Sequence, residues 1–328
     1  MKKKVIFILS CITFTILSAV ISSLLGAMSI HWEDLLQSDS MESRVFFELR
    51  IPRILLGIMV GGSLAWSGAL AQGLFRNPIV DPGLIGITAG CSLFASIAIV
   101  LGTSIPFLHS IWSIVLFSFL GGISSSFIIF FFAKSKGRTD IFSLLLSGIA
   151  VNAICFSAIG ILSYIANEAQ LRNLSLWNMG SLGGASWTNL KSFSIFFILP
   201  LFISPFIAKQ LNVFILGERE ASHLGVSTEF LKTIIILLIG VSVGACISLV
   251  GNIGFVGLAV PHIVRLAIGQ DYKYLLITSY LLGGGLLCFA DGICRIIIAP
   301  SEIPVGIATA LLGSPFFLSL IRKRMNHI

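Results

Sequence analysis

The sequence predicts an all-α polytopic membrane protein of about ten transmembrane helices with both termini cytoplasmic. The first observation is composition. Of 328 residues, 56% are hydrophobic and 11% charged, with a mean hydropathy of +1.02, whereas a soluble domain carries about 25% charged residues. The second is pattern: long apolar runs recur, several near the roughly 20 residues that cross a hydrocarbon core as a helix. Backbone groups in lipid must pair within their own segment, and the short alternating strands of a barrel are missing here, so these runs are helices. The third is the placement of Lys and Arg, which collect in alternate loops.

The spans are expected near residues 5–27, 54–74, 84–102, 111–133, 141–166, 191–208, 230–250, 253–269, 274–298 and 305–321. The first follows Lys2, Lys3 and Lys4 and exceeds the roughly 7 to 15 residues of a secretory signal core, so it is a span. The second carries Gly57, Gly61, Ala65 and Ala69 at four-residue spacing, a stripe of small residues that lets another helix approach and places this span centrally. "QGLFRNPIVDPGLIG" (72–86) follows, where Pro78 and Pro82 stop a helix and Gly83 permits a turn. Asn77 and Asp81 lie near the bilayer boundary, where unpaired polar groups are costly, and are expected to bind backbone ends or neighbouring loops. Pro261, beside His262 and Arg265, marks a kink or an end in span eight. Asp291 and Arg295 in span nine are spaced to pair with each other.

Ten spans put both termini on one side. With the N-terminus inside, fifteen of the 21 basic residues fall in inner segments, Arg76, Lys209, Arg219, Lys232 and Arg265 among them. Six fall outside: Arg44, Arg50, Arg53, Arg172, Lys191 and Arg295. The bias obeys the positive-inside rule and explains the net charge of +7 without a nucleic-acid partner. The chain reads as one membrane domain, 1–328, with a polar cytoplasmic loop at about 211–227. In that loop, "LNVFILGEREASHLGVS", Ala221, Leu224 and Val226 are expected to form one apolar face of a short surface helix carrying Glu218, Arg219 and Glu220.

Motifs for chemistry are missing. No G-x-x-x-x-G-K-[ST] phosphate loop occurs, so the chain should not hydrolyse ATP alone. His31, His109, His223, His262 and His327 are scattered without metal-ligand spacing, and the six cysteines form no C-x-x-C pair. No catalytic residue, bound cofactor or metal is expected.

"LRIPRILLGIMVGGSLAWSGALAQGLFRNPIVDPGLIGITAG", "GEREASHLGV", "GFVGLAVPHIVR" and "EIPVGIATALLGSPFFLSLI" occur in this order over nearly the whole chain. Together they resemble the FecCD-type permeases of bacterial ABC importers for ferric siderophores, haem and vitamin B12. The resemblance implies a permease in the bacterial cell membrane, paired with a second copy of itself, two separate ATPase subunits that use ATP, and an external substrate-binding protein. It implies that the loop of Gly217, Glu218, Arg219, Ala221, Leu224 and Gly225 couples to the ATPase. It also implies that Arg50, Arg53 and Arg295 dock the binding protein. Arg76, Asn77, Pro78, Asp81, Pro82, Gly83, Pro261, His262 and Arg265 are family motif positions in or beside the pathway.

"LSYIANEAQLRNLSLWNMGSLGGASW" (162–187) is similar to the haem subgroup, which makes haem the expected cargo and Arg172 a cation for its propionates. A plain reading of the same segment is an external loop shaped by Gly180, Gly183 and Gly184 and anchored at the interface by Trp177 and Trp187. A ferric siderophore or cobalamin is the alternative cargo. A secondary transporter, with inverted repeats and intramembrane ion sites, is the alternative of a different class, and a non-transporting membrane scaffold a third.

Overall fold

The computed structural model describes residues 2–26, 28, 40–102, 105, 110–135, 137–299 and 301–325. His31, His109 and His327 lie outside the described residues. Among the described residues, seven helices are long and apolar enough to cross a membrane, and three shorter apolar helices bring the set to ten.

In chain order the helices are α1 (Lys2–Leu24), α2 (Met41–Arg44), α3 (Ile51–Leu74), α4 (Ile87–Leu101), α5 (Ile111–Ala133), α6 (Ile141–Ile165), α7 (Glu168–Asn178), α8 (Trp187–Phe214), α9 (Glu218–His223), α10 (Thr228–Val250), α11 (Val256–Ile268), α12 (Tyr272–Cys294) and α13 (Val305–Met325). A π-helical segment, Val45–Arg50, joins α2 to α3, so the second span starts well before residue 54. Span six runs from Trp187 through Phe214 although Pro200 and Pro205 lie inside it. The Ser204 hydroxyl there donates to the Pro200 carbonyl at 2.6 Å and accepts from Trp66 Nε1 at 2.7 Å, which ties the interrupted stretch to α3. The turn after α5 is a two-residue antiparallel ladder, β1 (Lys134–Ser135) with β2 (Arg138–Thr139), pairing Lys134 with Thr139 and Ser135 with Arg138.

Helix α3 is the axis of the bundle. It packs on α12, α11, α10 and α8, while α4 packs on α5 and α6, and α1 lies against α12. The expected stripe explains the closest of these contacts. A Cβ on Gly61 would collide with the Gly283 carbonyl of α12, and one on Gly283 would strike Ala65. Lipid tails are as apolar as Leu, so close van der Waals packing rather than a hydrophobic gain holds two such helices together. Gly68 meets the Gly257 backbone of α11 in the same way. Pro261 cannot donate to the Gly257 carbonyl four residues earlier, and α11 nevertheless continues past it to Ile268. Helices α1 and α6 bury little of themselves, and Phe142, Leu146, Ile149 and Ile161 of α6 are exposed.

Candidate functional site

The polar residues gather at the two ends of the bundle. At the end bearing the N-terminus, α3 closes in a Schellman turn: Arg76 N–H donates to Gly73 O at 3.2 Å and Asn77 N–H to Gln72 O at 3.1 Å. Arg76 occupies the left-handed position of that turn, φ 49°, where glycine is usual and a side chain costs about 1–2 kcal/mol. Asn77 Oδ1 accepts from Ile79 N–H at 3.1 Å, and Asp81 Oδ1 from Gly83 N–H at 2.7 Å. Both polar side chains therefore bind local backbone, as their position required. Burial pushes the Asp81 carboxyl above its ordinary value, with the Gly83 hydrogen bond opposing. Pro82 opens a 3-10 turn, and Gly86 at φ 90° lets the chain enter α4.

Arg76 and Pro78 meet the α11 motif here. With Gln72, Ile215, Arg265, Gln270 and Tyr272 they line a cavity of about 90 Å³. The Arg76 guanidinium lies 5.5 Å from the Phe214 ring centre, and Arg265 Nη2 donates to the Tyr272 hydroxyl at 3.4 Å. Pro261 is buried within α11, and His262, half-buried, does not line this cavity.

The polar loop is built around a residue that sequence reasoning counted only as an inner charge. Lys232 of α10 has a side chain 1% exposed, and its Nζ reaches Glu218 at 2.6 Å, Glu229 at 2.7 Å and the Thr139 carbonyl at 2.6 Å. Glu229 in turn accepts from Thr139 N–H at 2.8 Å. One ammonium thus ties α9 to α10 and to the β1–β2 turn. The available signal was Glu229 three residues before Lys232 at the start of an apolar helix. Gly217 (φ 139°) and Gly225 (φ 84°) bracket α9. The expected apolar face is corrected: Ala221 is buried and Val226 half-buried, but Leu224 is 64% exposed. The helix ends at His223, so Leu224, its C-cap, and Val226 lie beyond the last helical residue and need not share the face of Ala221. Leu224 instead joins Arg219, Glu220 and Leu216 on the exposed side.

At the other end, Asp291 takes two hydrogen bonds from Arg53, each 2.9 Å, and its Oδ2 lies 3.3 Å from Arg295 Nε. The i, i+4 pair exists, and Arg53 is the stronger partner. Arg53 also reaches Glu302 at 2.8 Å. Arg50 donates to Ser23 O at 2.7 Å and to Met28 O, and Arg295 to Ser22 O at 2.9 Å and Leu25 O at 3.3 Å. The expectation of three outward docking charges is therefore modified. Arg50 and Arg295 are each 5% exposed, because the last carbonyls of α1 lack helical partners and draw the cations in. The Arg53 side chain retains partial access at 12%.

The outer loops are stitched by backbone: Ser181 N–H donates to Val250 O at 2.7 Å and Gly306 N–H to Gly180 O at 3.3 Å. They frame a cavity of about 620 Å³ whose walls include Asn178, Met179, Asn252, Phe255, Gly306 and Ile307. Trp187 donates from Nε1 to Phe47 O at 3.0 Å, which fastens the loop to the helix before α3. Arg172 is exposed on α7 and does not line the cavity. Among the described residues no cluster of His, Cys, Asp or Glu has metal-holding geometry, and the six cysteines are free and buried.

A bundle of ten apolar helices with a central glycine-lined axis, polar loops fastened at both ends and no nucleotide loop is a membrane permease. Residues 14–323 match the FecCD transport family, and the chain belongs to it. It is 41% identical over 314 residues to the hemin transport system permease protein HmuU of Yersinia pestis, which covers 95% of this chain and 94% of the relative. It is 38% identical to the Fe(3+)-citrate import system permease protein YfmD of Bacillus subtilis, over 88% of this chain and 84% of that one. The fold matches the inward-facing structure of a transporter described as of the metal-chelate ABC type. That TM-score is 0.86 at 31% identity, over 98% and 99% of the two chains. The protein is thus a multi-pass transport subunit of the bacterial inner membrane.

Proposed function

We propose that this chain is the translocation subunit of an ATP-driven haem importer, working as two copies with two ATPase subunits and an external binding protein. The observation that carries the coupling part is Lys232. A short exposed helix locked by one buried ammonium onto a membrane-crossing helix moves that helix when an ATPase moves the loop. Arg219, Glu220, Leu216 and Leu224 are the surface that the ATPase engages, and this chain supplies no ATP chemistry itself. At the outer end, Arg53 is the expected docking arginine that keeps partial access, and with Glu302 it meets the binding protein, where opposed charges chiefly set association rate and register.

Haem as cargo is supported by the A-Q-L-R and G-S-L-G-G-A-S-W elements of the outer loop and by the likeness to a hemin permease. A porphyrin is a rigid apolar disc with two carboxylates, which suits an apolar passage and an outer cation. Arg172, exposed and without an ion-pair partner among the described residues, is that cation. The likeness to a ferric-citrate permease makes an iron chelate the second reading. The test is the assembled complex in vesicles with its ATPase and binding protein. Haem should stimulate ATP hydrolysis several-fold over a ferric siderophore, and Arg172→Ala should weaken that response. Stimulation by the siderophore and not by haem would reverse the cargo assignment and leave the importer reading intact.

A further inference from the structure

The cavity between the α3–α4 turn and the α11–α12 turn has features that closing a loop does not require. Arg76 stands where glycine would form the same Schellman turn without strain, so the turn does not call for its side chain, whose guanidinium lies 5.5 Å from the Phe214 ring centre. Arg76 and Arg265 both line the cavity, and neither has a carboxylate partner among the described residues. Of the carboxylates nearest along the chain, Asp81 accepts from Gly83 N–H at 2.7 Å, and Asp271 is engaged by Lys4 at 3.3 Å, by Asn212 at 2.9 Å and by Lys273 N–H at 3.1 Å. Two guanidiniums thus face one small space with no counter-charge from the protein.

Two buried polar groups line the same space. Tyr272, 2% exposed, accepts from Arg265 and keeps its own hydroxyl hydrogen to give. It reaches this position because residue 73 is glycine: a Cβ there would come within 2.8 Å of the Tyr272 hydroxyl. Gln72, 1% exposed, donates from Nε2 to Leu258 O at 3.2 Å, while its Oε1 has no partner. An orphaned buried acceptor beside two cations and a hydroxyl defines a ligand that is anionic yet also carries a hydrogen-bond donor. An ionised carboxylate has no hydrogen to give Gln72. The volume, about 90 Å³, equals roughly three waters at about 30 Å³ each, which admits a phosphate-sized group and excludes a porphyrin or iron chelate.

We infer that this cavity binds a phosphate group, supplied in the membrane by the headgroup of an anionic phospholipid of the cytoplasmic leaflet. Arg76, Arg265 and Tyr272 hold the phosphate oxygens, and Gln72 accepts from a headgroup hydroxyl. The position suits this source. Positive-inside charge places this end at the cytoplasmic surface, and the exposed apolar side chain of Leu266 lies next in sequence to the lining residue Arg265. Hydrogen phosphate offers the same acceptors and a proton for Gln72, so it is the soluble source of the same chemistry. The site is independent of the cargo and does not rest on the haem reading.

The experiment uses the full chain purified in detergent. Native mass spectrometry follows retention of phosphatidylglycerol against phosphatidylcholine, whose headgroup has no net charge and no donor, and calorimetry follows inorganic phosphate. The variants are Arg76→Gly, which retains the turn, and Arg265→Gln. Selective retention of phosphatidylglycerol, reduced about tenfold in both variants while Arg76→Gly melts no lower than wild type, supports the lipid source. Phosphate binding reduced by the same variants without lipid selectivity supports the soluble source. Equal retention of both lipids by all three proteins, with no phosphate binding, overturns the proposal.

Discussion

Asp291 is the residue on which the outer end turns, since it stands between the guanidiniums of Arg53 and Arg295 with its side chain 4% exposed. Removing one partner of a buried ionic group leaves the others uncompensated, which costs about 3–5 kcal/mol. Asp291→Asn should therefore lower the melting temperature of the purified protein sharply. Replacing Arg53, Asp291 and Arg295 together by apolar residues of similar size should cost much less. Equal losses from the single and triple variants would show that the network is not what the residues contribute. The sequence exposed half of this arrangement, because a helix places residues four apart on one face and so pairs Asp291 with Arg295. The bidentate partner lies 238 positions away, and no local spacing signals it. Lys232 was opaque for a related reason: an inner lysine near a span boundary has the same sequence signature whether it meets water or a buried carboxylate pair.

Among the elements, α3 carries most of the packing, and its register is set by glycines rather than by large side chains. Gly68 faces the Gly257 backbone so closely that any Cβ must push α11 away. Overpacking of that kind costs about 1–3 kcal/mol or more, so Gly68→Ala should destabilise the protein by at least that amount. Gly160→Ala, where nothing lies within 4 Å, should be neutral or slightly stabilising in the same thermal assay. A similar loss at both positions would contradict the packing account. The Gly57, Gly61, Ala65, Ala69 stripe was legible because small residues at four-residue spacing define one helical face. Gly68 and Gly257 were not, since single glycines without a repeat signal nothing until two helices are seen to cross. The element boundaries that slipped, at Met41 and Trp187, did so where polar residues continue a helix beyond the hydrocarbon.

At the scale of the whole molecule, the two ends are linked through α10 and α3. The α9 loop, the β1–β2 turn and α10 share Lys232, while α10 packs on α3, the axis that reaches the outer charge network. Lys232→Met should cost about 2 kcal/mol through its lost charged hydrogen bonds. It should also leave ATP hydrolysis by the assembled complex running without transport, whereas the isolated wild-type chain should hydrolyse no ATP. Transport by the Lys232→Met complex at the wild-type rate per ATP would remove Lys232 from the coupling path. ATP hydrolysis by the purified chain alone would remove the division of labour on which that path depends.

The class of protein, the ten spans, their alternating charge and the motifs of the FecCD transport family were all determined by the sequence alone. Lipid makes each of these a local property: a segment must be apolar, long enough and internally hydrogen-bonded by itself, and its flanking charges sort by side. Which polar groups meet was decided only by the tertiary structure. Arg53 finds Asp291, Lys232 finds Glu218, and Arg76 shares a cavity with Arg265. Each encounter depends on how two helices cross, and in a membrane that crossing is set by close packing of small residues from distant segments, which no local pattern encodes.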